Sequence, residues 1–480
     1  MDLYVRLQEL QKSKRCIKGR PIAAVLSAMR EGGVDIAGIG IANRPLLSLL
    51  PRLGIRILSV RDGREPATEV IRDIRAVGAA PVFGEGYLAG LSAPVILRTP
   101  SLRPDHPALL SAEAMGALVT TEAALTLALA PCDILAVTGS DGKTTTAMLT
   151  AHLLSSSGRR TFLGGNIGRP LLSEVFSARQ EDAFVLELSS FQLSDMDPPR
   201  GRAAITNITE NHLDWHRNMQ EYVAAKARIL GGGPAVLPAD CRECLALAAG
   251  QDATLFTLGD IPPSGRSLFL REDTVLLHRA GCDTPLFSAG DLRLRGRHNL
   301  KNAMAAAALV LDLVPTEGIA PALSAFHGAP HRAEYVGTYL GVACFDSSID
   351  TTPARTAATL SSFKRPVVLL GGRGKNVSME PLARAVLKNA AATVLFGESA
   401  DGMEAAIRAL DTEGCLPLYM GGDFRSAVLL GHKKASELGC DLLLSPAATS
   451  FDSFPDYAAR GRAFAEILSE LCPTTKANNR

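Results

Sequence analysis

The sequence predicts an α/β protein made of three parallel-sheet domains. Strand-length apolar runs alternate with helix-length runs from Val34 to Leu444. Several of those strands end in glycine-rich or polar turns, where open α/β sheets collect ligands. The length, 480 residues, allows about three domains at roughly 150 residues each. The divisions are expected as residues 1–121, 122–328 and 329–480.

The first domain opens with a strand, Val34-Asp35-Ile36-Ala37, and a turn, Gly38-Ile39-Gly40-Ile41-Ala42-Asn43. A helix over Arg44 to Leu53 and a strand over Ile55 to Val60 follow, with Asp62 just beyond. This is close to a dinucleotide fingerprint, but Asn43 replaces the third glycine. It points to a nucleotide-type ligand without selecting NAD. Val95 to Arg98 forms another strand, ending at Thr99-Pro100-Ser101-Leu102.

The second domain carries the strongest signal. A strand over Ile134 to Val137 runs into Thr138-Gly139-Ser140-Asp141-Gly142-Lys143-Thr144-Thr145-Thr146, and a helix covers Ala147 to Leu154. Glycines let successive N–H groups turn toward phosphate oxygens, and the helix N-terminus adds its dipole. Lys143 supplies a point charge, and the Thr144 hydroxyl can reach magnesium. The spacing Gly-x-x-Gly-Lys-Thr is two residues shorter than the usual phosphate loop. Phe184 to Leu188 reads as a buried strand with Glu187 near its end, where a nucleotide-binding sheet places a magnesium ligand. A strand over Ala203 to Ile208 leads into Thr209-Glu210-Asn211-His212-Leu213-Asp214-Trp215-His216. His212 and His216, four apart, could chelate metal on a helix face. The helix Met219 to Leu230 carries Lys226, on pattern alone a solvated lysine. Ala303 to Val314 reads as a buried helix interrupted by Asp312.

The third domain begins near His331-Arg332. Strands at Val342 to Phe345, Val367 to Leu370, Ala392 to Phe396 and Asp441 to Leu444 each end in a polar or glycine-rich loop. The richest are Gly371-Gly372-Arg373-Gly374-Lys375 and Ser445-Pro446-Ala447-Ala448-Thr449-Ser450. The tail Pro473 to Arg480 reads as frayed.

Bulk composition excludes several classes. A net charge of +1 gives no general attraction to nucleic acid or anionic lipid. The basic cluster Lys12, Lys14, Arg15, Lys18 and Arg20 reads as a solvated helix face. Nine scattered cysteines without a secretory leader fit free thiols in a reducing compartment. Cys241 and Cys244 lack a second pair to complete a zinc site. No apolar run reaches membrane-spanning length. The expectation is a cytoplasmic monomer without nucleic-acid or membrane partners.

Seven segments together resemble, in order and spacing, the Mur ligase family. They are Thr138–Thr146, Gly164-Gly165-Asn166-Ile167-Gly168, Leu186–Leu193, Asn207–His216, Gly296–Ala303, His331-Arg332-Ala333-Glu334 and Leu443–Phe454. Glu187-Leu188-Ser189-Ser190-Phe191-Gln192 and Ser445-Pro446-Ala447-Ala448-Thr449-Ser450-Phe451-Asp452 resemble its D-glutamate-adding branch. The resemblance implies a Rossmann-like N-terminal domain that binds a UDP substrate. It also implies a central P-loop ATPase-like domain and a Rossmann-like C-terminal domain for the amino acid. The implied activity is ATP-dependent: the carboxylate of UDP-N-acetylmuramoyl-L-alanine becomes an acyl phosphate, and D-glutamate attacks it in peptidoglycan synthesis.

Carried over by motif, Thr138, Gly139, Ser140, Asp141, Gly142, Lys143, Thr144 and Thr145 would hold ATP. Asn302, Arg332 and Asp346 would join them. Thr144 and Glu187 would hold one magnesium; His212 and a carbamylated Lys226 would hold a second. Gly38, Asp62, Thr99, Ser101 and Asn166 would line the UDP-substrate site. Thr351, Lys375, Ser450 and Tyr457 would meet D-glutamate.

Three positions depart from the family pattern. Asp141 replaces an asparagine, Thr99-Pro100-Ser101 replaces Ser-Pro-Gly, and Ile349 occupies the place of a lysine on the amino-acid side. Arg373 or Arg355 could supply that missing cation. A sibling ligase with another amino acid, including a folylpolyglutamate type, therefore stays open. So do a nucleotide sensor with a decayed site and a dinucleotide-dependent oxidoreductase.

Overall fold

The computed structural model describes residues 15–167, 170–259, 265–294, 296–328, 330–374 and 377–471. Among them are sheets of five, nine and six strands and a two-stranded hairpin. The chain clusters as two compact units. The first runs to Ala289 and takes in Lys301–Ala322; the second comprises Gly290–Leu300 and the chain from Leu323 onward.

The first unit contains two of the sheets. In the five-stranded sheet the order is Ala80–Phe83, Ile57–Asp62, Val34–Ala37, Val95–Arg98, Leu118–Thr120, all parallel. Strand order reverses between Val34–Ala37 and Val95–Arg98, so the turns after those strands flank the switch point where ligands bind. Asp35, buried in the first of these strands, accepts the Ser92 and Ala93 N–H groups at 2.9 and 3.0 Å. A buried carboxylate is tolerable only with such donors.

The nine-stranded sheet places Asp133–Thr138 between Ala183–Glu187 and Gly201–Ile205, all parallel, with Thr161–Gly165 at one edge. Beyond Gly201–Ile205 the sheet continues through Ala235–Pro238, Ala253–Thr257 and Arg266–Arg271 to the antiparallel strands Thr274–Arg279 and Cys282–Ser288. Ile134 to Val137 and Phe184 to Leu186 are buried throughout. Such unbroken apolar runs belong to parallel strands covered on both faces.

In the second unit, Glu334–Tyr339 pairs antiparallel with Val342–Asp346. The parallel strands Leu442–Leu444, Val367–Gly371, Ala392–Phe396 and Leu418–Gly422 follow. The two glycine- and serine-rich loops after Val367–Gly371 and Leu442–Leu444 therefore leave from neighbouring strands.

Several expectations are corrected. The helix after the phosphate loop starts at Lys143, not Ala147. Gly142 sits left-handed at φ +77 and frees the chain to coil at once. The helix expected from Arg44 begins at Leu46, because Asn43 and Arg44 form turns ahead of Pro45. Arg15, Lys18 and Arg20 lie not on a helix but around the hairpin Cys16–Ile17 and Arg20–Pro21, tied down by polar partners. Lys18 Nζ pairs with Asp195 at 2.9 Å and Arg20 Nη1 donates to Gly116 O at 2.8 Å. Lys12, Lys14 and the tail lie outside the described residues. The buried alanine-rich helix spans Arg297–Val310. Asp312 lies beyond its end, pairing with Arg266 at 2.6 Å and Arg202 at 3.3 Å.

Candidate active site

Three strand ends converge at the phosphate loop. Asp133–Thr138 delivers the loop, Ala183–Glu187 delivers Glu187 beside it, and the chain after Gly201–Ile205 braces it from the other side. Asn207 Oδ1 accepts the N–H groups of Ser140 and Asp141 at 3.1 and 2.9 Å. The Ser140 hydroxyl donates to Thr209 O at 2.9 Å and meets the Tyr222 hydroxyl at 2.9 Å. Thr138 Oγ1 donates to Leu188 O at 2.7 Å. A Cβ on Gly142 would run into Asn302 Oδ1, so only glycine fits between the loop and the helix Arg297–Val310. Asn302 is thus brought to the loop. The Asp141 side chain is exposed; its backbone O accepts from Thr206 and Asn207. The unexpected acid is therefore not built into the loop's frame.

Thr144 Oγ1 donates to Glu187 Oε2 at 2.7 Å, and Asn166 Nδ2 donates to Glu187 Oε1 at 2.9 Å. The carboxylate is only 2% exposed, and both partners are neutral. Lys143 Nζ curls back to Gly139 O and Ser140 O at 2.9 and 2.8 Å. Lys226 Nζ reaches the same Gly139 O at 2.6 Å from the helix Met219–Ala227. Lys226 is buried at 1% exposure, against its reading as a solvated lysine. Burial first, then the nearby Lys143 charge, pulls its pKa down to about 7.

His212 sits in a turn, not on a helix, at φ +54. Its carbonyl accepts the Trp215 and His216 N–H groups at 3.1 and 2.9 Å. Its ring packs edge-on to Phe191 at 4.9 Å. Burial, reinforced by Lys143 and Lys226, lowers its pKa and favours the neutral, ligating imidazole. His216 is not a chelating partner of the same kind. It is buried, with Nε2 on Ser190 Oγ at 2.9 Å.

On the five-stranded sheet, Asp62 Oδ2 accepts Ile39 N–H at 2.9 Å and so shapes the Gly38–Asn43 turn. Thr99 N–H donates to Ala37 O at 2.7 Å, next to Gly38. The Thr99-Pro100-Ser101 turn gains its shape from Arg98. This fully buried guanidinium donates to Leu102 O at 2.8 Å and Thr99 O at 3.3 Å, and pairs with Asp195.

In the second unit, Asp346 Oδ1 accepts Ser348 N–H at 2.7 Å, and Oδ2 lies 2.6 Å from His331 Nδ1. That contact raises the His331 pKa. His331, Glu334 and Asp346 place potential ligand atoms within 4.8 Å of one another. Their mutual bonds, with Glu334 Oε2 accepting His331 N–H at 2.7 Å, account for the approach. Arg332 beside them is exposed.

Arg460 organises the rest of this region. It is fully buried and donates to Ser348 Oγ at 2.9 Å, Ser348 O and Ala448 O at 3.0 Å, and Gly371 O at 3.4 Å. Burial lowers its pKa to about 10, which leaves it charged near neutrality. A Cβ on Gly461 would strike His331 and Asp346. Arg460 and Gly461 escaped the sequence reading. A glycine inside a helix costs about 1 kcal/mol, and Gly461 within Tyr457–Ser469 was the available signal.

Ser450 is buried, Thr351 half-buried and Tyr457 exposed. Lys375 lies outside the described residues. Of the two substitute cations, Arg373 forms a bidentate pair with Glu398 at 2.9 and 3.0 Å. Arg355 instead reaches Ile349 O at 3.3 Å, the residue that stands where the lysine was expected.

A family model described as the Mur ligase middle domain matches residues 137–310. A UDP-N-acetylmuramoylalanine–D-glutamate ligase of Clostridium novyi (strain NT) is 37% identical over 455 residues, covering 92% of this chain and 98% of that protein. One of the same name from Clostridium perfringens (strain 13 / Type A) is 34% identical, covering 97% and 100%. This chain belongs to the Mur ligase family, in the branch that these two relatives represent. The solved structure of MurF from Acinetobacter baumannii is similar in fold to this Mur ligase. Its TM-score is 0.56 at 17% identity, and the match covers 95% of this chain and 100% of that one.

Proposed function

We propose that this Mur ligase joins D-glutamate to UDP-N-acetylmuramoyl-L-alanine in peptidoglycan synthesis, consuming ATP. The substrate carboxylate takes the γ-phosphoryl group; the D-glutamate amine then forms the amide, and ADP and phosphate leave. One observation carries the reading. Lys143, Thr144, Glu187 and Lys226 gather at one loop mouth, and His212 is close enough for the Lys143 and Lys226 charges to lower its pKa, in a chain whose relatives bear that name.

The Thr144 hydroxyl and the Glu187 carboxylate fit magnesium, a hard cation held through oxygen ligands. Glu187, buried and hydrogen-bonded to the neutral Thr144 hydroxyl and Asn166 amide, is a carboxylate suited to a cation. Thr144 and Glu187 would hold one ion, and His212 with Lys226 a second. Magnesium, when bound, neutralises charge on the phosphoryl oxygens. As an amine, Lys226 is no magnesium ligand. A pKa near 7 leaves much of it neutral, able to add carbon dioxide and lose a proton to form a carbamate. That carbamate would act as an oxygen ligand.

Lys143 steadies the β- and γ-phosphates, and the loop N–H groups orient them. Asn302, Arg332 and Asp346 are assigned to ATP. Gly38, Asp62, Thr99, Ser101 and Asn166 are assigned to the UDP substrate. Thr351, Lys375, Ser450 and Tyr457 are assigned to D-glutamate, with Arg355 as the cation that replaces the lysine absent at Ile349. The proposed division is residues 1–121, 122–328 and 329–480, centred on the UDP substrate, ATP and D-glutamate respectively, with Asn166, Arg332 and Asp346 serving a role outside their own segment. No helix among the described residues is long and apolar enough to cross a membrane. We place the enzyme in the cytoplasm as a monomer without nucleic-acid partners.

The test is ADP release with UDP-N-acetylmuramoyl-L-alanine and a panel of D- and L-amino acids. D-glutamate alone should support turnover. Turnover with another amino acid would overturn the branch, and no ATP consumption with any acceptor would overturn the ligase itself.

A further inference from the structure

We propose that Arg103 is a positioning residue that couples the UDP-substrate loop, residues 99–105, to His212 and Lys226. The inference rests on the functional reading above and adds to it a route between the two binding sites.

Arg103 lies in the loop that follows the strand Val95–Arg98 and makes four kinds of contact. Its guanidinium lies 4.7 Å over the Trp215 ring, and Nη1 donates to Trp215 O. Nη2 donates to Glu221 Oε1 at 2.8 Å. Nε and Nη2 clasp Asp105 at 2.8 and 3.0 Å, which presets the fork. The bonds also run the other way. The Trp215 indole N–H donates to Ser101 O at 3.0 Å, and Arg217 pairs with Asp105. Isolated half-exposed ion pairs contribute little. Here a bidentate fork, a stacked cation and an indole bond converge on one short loop, which fixes direction as well as distance.

The far ends of these contacts are the candidate metal ligands. Trp215 packs on Phe191 at 4.6 Å, and Phe191 packs on His212 at 4.9 Å. The Trp215 N–H also holds the His212 carbonyl. His212 is a non-glycine residue in left-handed backbone, a conformation that persists only where its surroundings enforce it. Glu221 stands in the first turn of Met219–Ala227, the helix that carries Lys226. One side chain of the substrate loop thus braces both the turn of His212 and the helix of Lys226. A UDP substrate that holds residues 99–105 in this braced arrangement is expected to tighten binding at the magnesium site, and the reverse then holds by the same factor.

Trp215 is the only tryptophan in the chain, so its emission reports directly on this contact. The experiment measures magnesium–ATP affinity with and without UDP-N-acetylmuramoyl-L-alanine, and Trp215 emission on adding that substrate. It compares wild type, Arg103→Ala and Arg103→Lys, with thermal melts of each. In wild type the substrate should change the emission and tighten magnesium–ATP binding about tenfold. In Arg103→Ala the tightening should fall below about twofold, while each ligand alone binds within about threefold of wild type. kcat should fall with little change in KM for the UDP substrate, and Arg103→Lys should restore part of the coupling. Should Arg103→Ala not fold, Arg103→Lys carries both readouts, and Trp215→Phe, which lacks the indole N–H and with it the emission, carries the affinity comparison alone.

Coupling that survives unchanged in the folded variants overturns the proposal, as does a wild-type emission indifferent to bound substrate. A wild type that neither binds the UDP substrate nor consumes ATP overturns the functional reading as well.

Discussion

The phosphate loop of the first unit and the Arg460 region of the second are both built at strand ends, yet they are built differently. The loop is one continuous stretch, Thr138 to Thr145, whose shape is held through backbone groups by Asn207, Thr206 and Thr209. The second region joins three separated segments near Ser348, Gly371 and Ala448, tied by one buried guanidinium. A backbone grip demands a contiguous pattern of glycines and hydroxyls. A shell assembled from distant loops tolerates exchange at one position while its scaffold stands. Phosphate chemistry is therefore expected to be the rigid half of this enzyme, and amino-acid recognition the adaptable half.

The largest effect tests the rigid half. Lys143→Ala removes the point charge from the loop. It should lower ADP formation by at least about 10³-fold, with UDP-substrate affinity, read by equilibrium titration, almost unchanged. Equal loss of both would mean that the loop also holds the UDP substrate. Lys226→Ala comes next, at on the order of 10²-fold. Short carboxylic acids added to the assay should recover part of the rate by occupying the vacated space. A fully active Lys226→Ala variant would remove the carbamate from the account.

The same contrast decides what the sequence could reveal. Thr138 to Thr145, Glu187 and the three-part alternation of strands were legible, because strand, turn and helix periods are local. Lys226 was not legible from pattern. Nothing in Ala224-Ala225-Lys226-Ala227 says that its face packs under Gly139; family resemblance alone singled it out. His212 and His216 carried helix spacing, but the turn at φ +54 separates their roles. Arg98, Arg103 and Arg460 are surface-type residues in any composition count. Only the tertiary structure shows them buried against carbonyls or stacked on a ring.

A pH effect of intermediate size probes the first unit away from its chemistry. Glu122 is buried, accepting Leu172 N–H at 2.7 Å and the Thr126 hydroxyl at 3.0 Å. Burial raises its pKa to about 7 despite these bonds. A folded-state pKa above the unfolded one means the native state holds the proton more tightly. Its contribution is therefore complete below about pH 4.5 and is lost as pH rises through about 7. Wild type should lose up to about 3 kcal/mol across that window relative to Glu122→Gln, which keeps an acceptor but cannot titrate. Parallel denaturation curves at pH 5 and pH 7.5 for the two proteins would exclude this assignment.

The smallest effect bears on the adaptable half. If Arg355 has taken over from the lysine missing at Ile349, Arg355→Ala should raise KM for D-glutamate about tenfold, roughly 1.4 kcal/mol for one charge-assisted contact at an exposed site. KM for ATP and for the UDP substrate should stay within about twofold. Arg373→Ala should do less, since Arg373 is already committed to Glu398 through two bonds. The two variants separate a cation that faces an acid of its own from one that donates to a backbone carbonyl. If Arg373→Ala proves the more damaging, the Glu398 pair must open to admit the substrate carboxylate. The amino-acid half would then owe its adaptability to a movable ion pair rather than to a replaced residue.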